Sequence, residues 1–159
     1  MKSKYWTAVR SIDSWLIWPA ASAAEKRFDG AAAAGADPGA ERVLQELIDW
    51  LGRAQDCSRS ADGGVARDFS LVYGWASSYP ETTGYIIPTL LDYARLAAQP
   101  DALNARARRM LDWLVRIQLP SGAYQAGRID AQPIVPVTFN TGQILLGLAA
   151  GERTFGGYR

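Results

Sequence analysis

Apolar residues recur at helical spacing in four stretches of the chain. The clearest stretch runs from about Pro38 to Gln55, and its apolar positions are three or four residues apart: Val43, Leu44, Leu47, Ile48 and Leu51. Similar spacing predicts further helices over residues 81–98, from 101 or 102 to 117, and over 137–150. No β-rich domain is predicted, and the 159 residues fit a single all-α domain.

Two long loops separate the predicted helices. The first, residues 56–79, contains the segment "FSLVYGW", which predicts a short extended piece. The second covers residues 119–136. Loops of more than about 15 residues inside a compact domain are usually functional or poorly ordered, so these two loops are the first place to look for a site.

The chain before the first clear helix falls into two predicted parts. Residues 1–26 predict an amphipathic N-terminal helix, and the Gly- and Ala-rich residues 27–40 predict a linker. A secretory signal is the alternative, because Lys2 and Lys4 precede an apolar run and the segment "ASAAEK". That run is only about five residues long, against about 7–15 in such signals. We therefore expect a cytoplasmic protein without a membrane-spanning segment.

An internal repeat is the strongest signal in the sequence. "LIDWLGRAQ" (Leu47–Gln55) matches "MLDWLVRIQ" (Met110–Gln118) at an offset of 63 residues, and each copy is followed by a Gly-containing turn. Downstream, "TTGYIIPTL" (Thr82–Leu90) matches "NTGQILLGL" (Asn140–Leu148) at an offset of 58. The chain thus predicts two copies of a helix–Gly loop–helix hairpin, over 41–98 and 101–150. Such hairpins bury their apolar faces by stacking on one another.

The repeated hairpins resemble the (α/α) toroid, in which helical hairpins form an inner and an outer ring. "QLPSGAY" (Gln118–Tyr124) resembles the Q-x3-G-x-W repeat of terpenoid cyclases and prenyltransferases, with Tyr124 in place of Trp. The alternation of helices is similar to that of six-hairpin glycosidase-like proteins, which carry sugar-binding aromatic residues at the mouth of the ring. Tyr73–Ala94 and Phe139–Ala150 also resemble uncharacterised bacterial toroid proteins associated with polysaccharide metabolism.

The resemblance covers about Arg42 to Ala150 and implies part of an (α/α) toroid. Closed toroids contain more hairpins than the two predicted here. This implies either a piece of a longer protein or a ring completed by self-association, so a homo-oligomer is one expectation.

Composition removes several kinds of chemistry. The chain has no histidine and a single cysteine, Cys57, which excludes Ser-His-Asp and Cys-His catalysis, an intramolecular disulfide and a soft-metal site. The net charge of +1 gives no general attraction to nucleic acid or to acidic membranes. The isoprenoid families need an Asp-rich motif or His and Cys zinc ligands, which are lacking. We expect no metal and no cofactor.

Candidate site residues come from the two long loops. If the "DWL" helices are outer and the "TTG" and "NTG" helices are inner, both loops lie at one mouth of the ring. The candidate catalytic carboxylates are Asp62, Asp68 and Glu81. The candidate substrate-binding residues are Arg67, Tyr73, Trp75, Tyr79, Tyr124, Arg128 and Asn140. This set predicts that the protein binds or processes a polysaccharide, by hydrolase, lyase or epimerase chemistry. A non-catalytic helical-repeat scaffold is the alternative.

Several candidates also have a structural explanation. Asp62 precedes Gly63 and is typical of a turn, and Glu81 is favourable near the positive end of a helix. Gly84 and Gly142 are expected to permit close helix packing. Four residues are suited to capping helices: Thr82, Thr83, Asn140 and Thr141.

Overall fold

The structure is a computed structural model that describes residues 36–158, and this part of the chain is mainly helical. Its helices are α1 (Ala40–Asp56), α2 (Pro80–Ala94), α3 (Pro100–Ile117) and α4 (Thr138–Phe155). Between α1 and α2, β1 (Phe69–Ser70) and β2 (Gly74–Trp75) form a two-stranded antiparallel hairpin. The prediction of a mainly helical chain is confirmed. The predicted helix at 1–26 and residues 27–35 of the predicted linker lie outside the described residues.

Two helices end at different places from those predicted. α2 is shorter, because the chain turns before Pro100, which occupies the first turn of α3. α4 is longer and continues to Phe155. Gly151 does not end α4, since it packs against α3, where an added Cβ would lie 2.5 Å from Leu111 Cδ2. The helix ends instead at Gly156, whose φ of 73° lies in the left-handed region that favours glycine.

The core lies between α2, α3 and α4. α2 and α4 pack side by side, and Gly84 of α2 lies against Ile144 and Gly147 of α4. Further along, residues near the C-terminal ends of both helices line one cleft, so the two helices run in the same direction. α3 packs against both of them. The fully buried aliphatic side chains of this core include Ile87, Leu90, Met110, Leu111, Leu114 and Ile144.

Thr83 ties the first long loop to α2. Its hydroxyl donates to the carbonyl of Tyr79 at 2.9 Å and accepts the backbone N–H of Val65, also at 2.9 Å. The backbone N–H of Tyr79 in turn donates to the carbonyl of Val65. Tyr79 is the residue at the cap position of α2, and its side chain makes no capping hydrogen bond. The prediction that Thr83 caps the helix is therefore wrong, because its hydroxyl is used to hold the loop.

Thr141 ties the second long loop to α4 in the same way. Its hydroxyl donates to the carbonyl of Val137 at 3.0 Å and accepts the backbone N–H of Tyr124 at 3.0 Å. The backbone N–H of Val137 donates to the carbonyl of Tyr124. The residues of the repeated "TG" segment thus make the same contacts in both copies.

The glutamine that ends each "DWL" segment also has the same role twice. The side-chain amide of Gln55 donates to the carbonyl of Gly63, and that of Gln118 donates to the carbonyl of Gly122, both at 3.0 Å. Each bond closes the turn that follows the helix. The sequence repeat therefore corresponds to a repeated set of hydrogen bonds in the loops.

Polar side chains join α1 to α3. The guanidinium of Arg106 lies 2.6 Å from a carboxylate oxygen of Asp56, and Arg109 lies 3.2 Å from the other. The hydrogen bond from Arg106, with the charges of both arginines, lowers the pKa of Asp56 below its usual value. A side-chain bond from Arg106 to Gln55 adds to this contact.

Candidate functional site

The two long loops meet at the end of the fold where α2 and α4 begin. The hydroxyl of Ser77 in the first loop donates to the carboxylate of Asp130 in the second, at 2.7 Å. The backbone N–H of Ile129 donates to the carbonyl of Ser78 at 2.8 Å. The two loops therefore contact each other as expected, while their position at the mouth of a ring stays a prediction. We call this surface the loop face.

Four of the predicted site residues form one chain of contacts on the loop face. The hydroxyl of Tyr79 donates to a carboxylate oxygen of Glu81 at 3.2 Å. The guanidinium of Arg67 lies 5.9 Å from the centre of the Tyr79 ring and 3.5 Å from the carboxylate of Asp68. Burial, with the charge of Glu81 as a second cause, raises the pKa of the neighbouring Tyr85. This part of the surface thus combines aromatic rings with charges of both signs.

Asp62 has a structural role in the first loop. Its carboxylate accepts the backbone N–H of Gly64 at 3.1 Å and the hydroxyl of Ser78 at 2.7 Å. The hydroxyls of Ser58 and Ser60 also lie against Ser78, at 2.7 Å and 2.9 Å. The carboxylate of Asp62 is therefore engaged in holding the turn, as the structural explanation predicts.

Asp130 is the carboxylate that joins the two loops. It accepts the hydrogen bond from Ser77 and lies 3.3 Å from the guanidinium of Arg128. The bond from Ser77 is the main reason that the pKa of Asp130 is lowered, and the charges of Arg128 and Arg59 contribute. The sequence placed Arg128 among the binding residues, and the structure pairs it with Asp130. Ser77 and Arg59 were not singled out, since no pattern marked them.

An aromatic cluster lies beside the β-hairpin. The ring of Trp75 is 4.8 Å from that of Trp50 and 5.0 Å from that of Phe69. Tyr73 is 79% exposed in the turn of the hairpin. The sequence predicted Tyr73 and Trp75 as binding residues and took Trp50 only as part of the helix repeat. Trp50 belongs to this cluster because the hairpin folds back towards α1.

Two predicted substrate-binding residues lie inside the fold. Tyr124 is fully buried, and burial raises its pKa to about 12. Asn140 is buried at the start of α4. Neither the Tyr124 hydroxyl nor the Asn140 side-chain nitrogen has a hydrogen-bond partner among residues 36–158. Their placement at a ligand-facing mouth is corrected here, because the loop that carries Tyr124 turns its side chain into the core.

Two clefts lie apart from the predicted site. A cleft of about 630 Å³ between α1 and α3 is lined partly by Asp49, Asp56 and Arg106, and it contains none of the predicted site residues. The loop-face residues Arg67, Tyr79 and Asp130 do not line this cleft.

The described part of the chain provides no obvious metal or membrane element. Residues 36–158 contain no group of three or more His, Cys, Asp or Glu side chains arranged to hold a metal ion. Within the same residues, no helix combines the length and the apolar character needed to cross a bilayer. Comparison with models of protein families, with curated proteins and with solved structures finds no match to this chain.

Proposed function

We propose that the chain forms part of an (α/α) toroid whose loop face binds a carbohydrate chain. The observation that carries the proposal is the meeting of both long loops at one end, where the first loop also carries the exposed Tyr73 and each loop contains a paired Arg and Asp. Aromatic rings offer flat apolar faces to sugar rings, and charged side chains hydrogen-bond to hydroxyl groups.

The toroid part of the proposal rests on the repeated construction. Thr83 and Thr141 hold the loops to α2 and α4 with the same hydrogen bonds, and Gln55 and Gln118 close equivalent turns. α2 and α4 lie side by side and run in the same direction, as neighbouring inner helices of a ring do. This arrangement supports two consecutive hairpins of one array.

Binding is better supported than cleavage of a glycosidic bond. Glycosidases use two carboxyl groups that flank the bond, one of which carries a proton. Asp62 is held by the Gly64 N–H and the Ser78 hydroxyl, and Asp68 is paired with Arg67. Asp68 and Glu81 therefore serve in this proposal as hydrogen-bond acceptors for sugar hydroxyls, while Asp62 holds the turn.

The binding test is a fluorescence titration of the protein with neutral and acidic oligosaccharides, because Trp75 lies in the first loop and packs against Trp50. Tyr73→Ala should weaken binding at least about tenfold, or about 1.4 kcal/mol. The control is Leu96→Ala, which removes a strongly exposed apolar side chain beyond the far end of α2, about 22 Å from its start. The proposal fails if no oligosaccharide binds, or if Tyr73→Ala binds like the wild type.

A helical-repeat interaction module is the second candidate. It is favoured by apolar side chains that remain exposed on α1 and α4, including Leu47 and Leu146. A protein of this kind would bind through the helix faces, so Tyr73→Ala would leave its interactions intact.

A further inference from the structure

The two ends of the helical array expose apolar positions whose repeat equivalents are buried inside it. Leu145 of α4 is 52% exposed, whereas Ile87, its equivalent in α2 at the offset of 58, is fully buried. Leu47 of α1 is 56% exposed, whereas Met110, its equivalent in α3 at the offset of 63, is fully buried. The same sequence positions are thus covered in the middle of the array and uncovered at its ends.

The covered positions lie on two helices that pack against each other within the chain. α2 packs against α3, and Ile87 and Met110 both belong to the core that this contact closes. α4 is the repeat equivalent of α2, and α1 is the equivalent of α3. Among residues 36–158, the exposed side of α4 therefore lacks a helix like α3, and the exposed side of α1 lacks a helix like α2.

A glycine on α4 marks the same missing neighbour. Gly84 allows α4 to approach α2 so closely that an added Cβ would lie 2.6 Å from the Cα of Ile144. Gly142 is the equivalent residue of α4, and an added Cβ there would meet nothing within 4 Å. α4 thus keeps the close-approach glycine and open space beside it, while the helix that would use this space is absent from the described residues.

We propose that this chain self-associates head to tail, with α4 of one copy packed against α1 of the next as α2 packs against α3 within each chain. α2 of the second copy then lies beside Gly142 of the first copy, so the row formed by α2 and α4 continues from one copy into the next. The occupant is a second copy because one chain carries both halves of the contact, and the new interface continues an existing one. The contact joins two different surfaces, so it builds rings or open oligomers instead of a symmetric dimer.

The test uses the full chain with one face blocked at a time. Light scattering after size exclusion, from about 1 μM to about 1 mM, should show the wild type growing from 17.3 kDa to multiples beyond a dimer. Leu145→Glu blocks the α4 face, and Leu47→Glu blocks the α1 face. Both positions are more than half exposed, so thermal melts should match the wild type. Ala105→Glu, on an exposed position of α3, is the matched control and should associate normally.

Mixing the two blocked variants distinguishes head-to-tail contact from other modes. Each variant alone should dissociate at least about tenfold more readily than the wild type. Leu47→Glu keeps the α4 face and Leu145→Glu keeps the α1 face, so their mixture should form one 1:1 dimer and nothing larger. A wild type that is monomeric at every concentration overturns the proposal. So does a wild-type oligomer that both variants leave intact, or a mixture of the two variants that stays monomeric.

Discussion

Gly84 sits at the closest contact between two helices, and its replacement gives a quantitative test of the packing. An added Cβ would lie 2.6 Å from Ile144 Cα and 3.1 Å from Ile144 N. These are backbone atoms, so relief requires movement of α4 itself. Gly147 packs against the carbonyl of Gly84, which leaves α4 no room to slide along α2. Gly84→Ala should therefore force the two helices apart.

The size of the effect follows from two opposing contributions. Overpacking a tight core costs about 1–3 kcal/mol. Replacing glycine by alanine within a helix stabilises the fold by about 0.5–1 kcal/mol. Gly142→Ala receives only the second contribution, because nothing lies within 4 Å of its added Cβ. The difference in unfolding free energy between the two variants cancels the helix term and isolates the overpacking cost, about 1–3 kcal/mol.

The assay is urea unfolding followed by circular dichroism. With a urea dependence of about 1–3 kcal/mol per molar, the midpoint of Gly84→Ala should lie about 1 M below that of Gly142→Ala. Low protein concentration keeps self-association from contributing to either value. Equal midpoints for the two alanine variants would refute the close contact of α2 and α4.

Two further variants test a buried hydroxyl and an ion pair. Tyr124→Phe should be neutral or stabilising by up to about 1–3 kcal/mol, because the hydroxyl it removes has no partner among the described residues. The pKa of Tyr124 in the folded protein is about 12, above the usual 10.0, so the wild type should lose stability as pH rises above 10.0. Tyr124→Phe should lose less stability over the same range. If both proteins show the same fall in urea midpoint at alkaline pH, this reasoning is contradicted. Asp56 has a folded pKa below its usual 3.8, so its pairing with Arg106 stabilises the fold above that pH and is lost below it. Asp56→Asn should therefore reduce the fall in urea midpoint between about pH 6 and pH 2, and an unchanged fall would argue against the pairing.

The sequence predicted the loop face better in outline than in detail. That two loops would share one end follows from the hairpin repeat, and the bond from Ser77 to Asp130 shows that they do. The roles of single residues were less predictable. Tyr124 lies in a loop, where the sequence predicts an aromatic side chain on the surface. Its backbone pairing with Val137 instead turns the ring into the core. Side-chain direction in a loop depends on such pairings, which have no sequence period.

The same limit applies to the glycines and threonines of the repeat. Gly84 and Gly142 share the same Thr-Gly pair near a helix start, and only the first is in close contact with another helix. Thr83 and Thr141 have the side chains of helix caps, but each hydroxyl bonds to a loop instead. In each case the residue type limits which contacts can form, and the residues that lie around it in the fold decide which contact does form.

By itself the sequence determined the four helices of residues 36–158, their order and the repeat, because helical spacing of apolar residues is a local property that the chain carries at every turn. Tertiary structure alone decided that α4 extends through Gly151, that Asp62 is engaged by Ser78, and which apolar positions of the repeat are covered. These depend on segments far apart in the chain. Equivalent residues such as Ile87 and Leu145 differ in burial because one has a neighbouring helix and the other stands at the end of the described array.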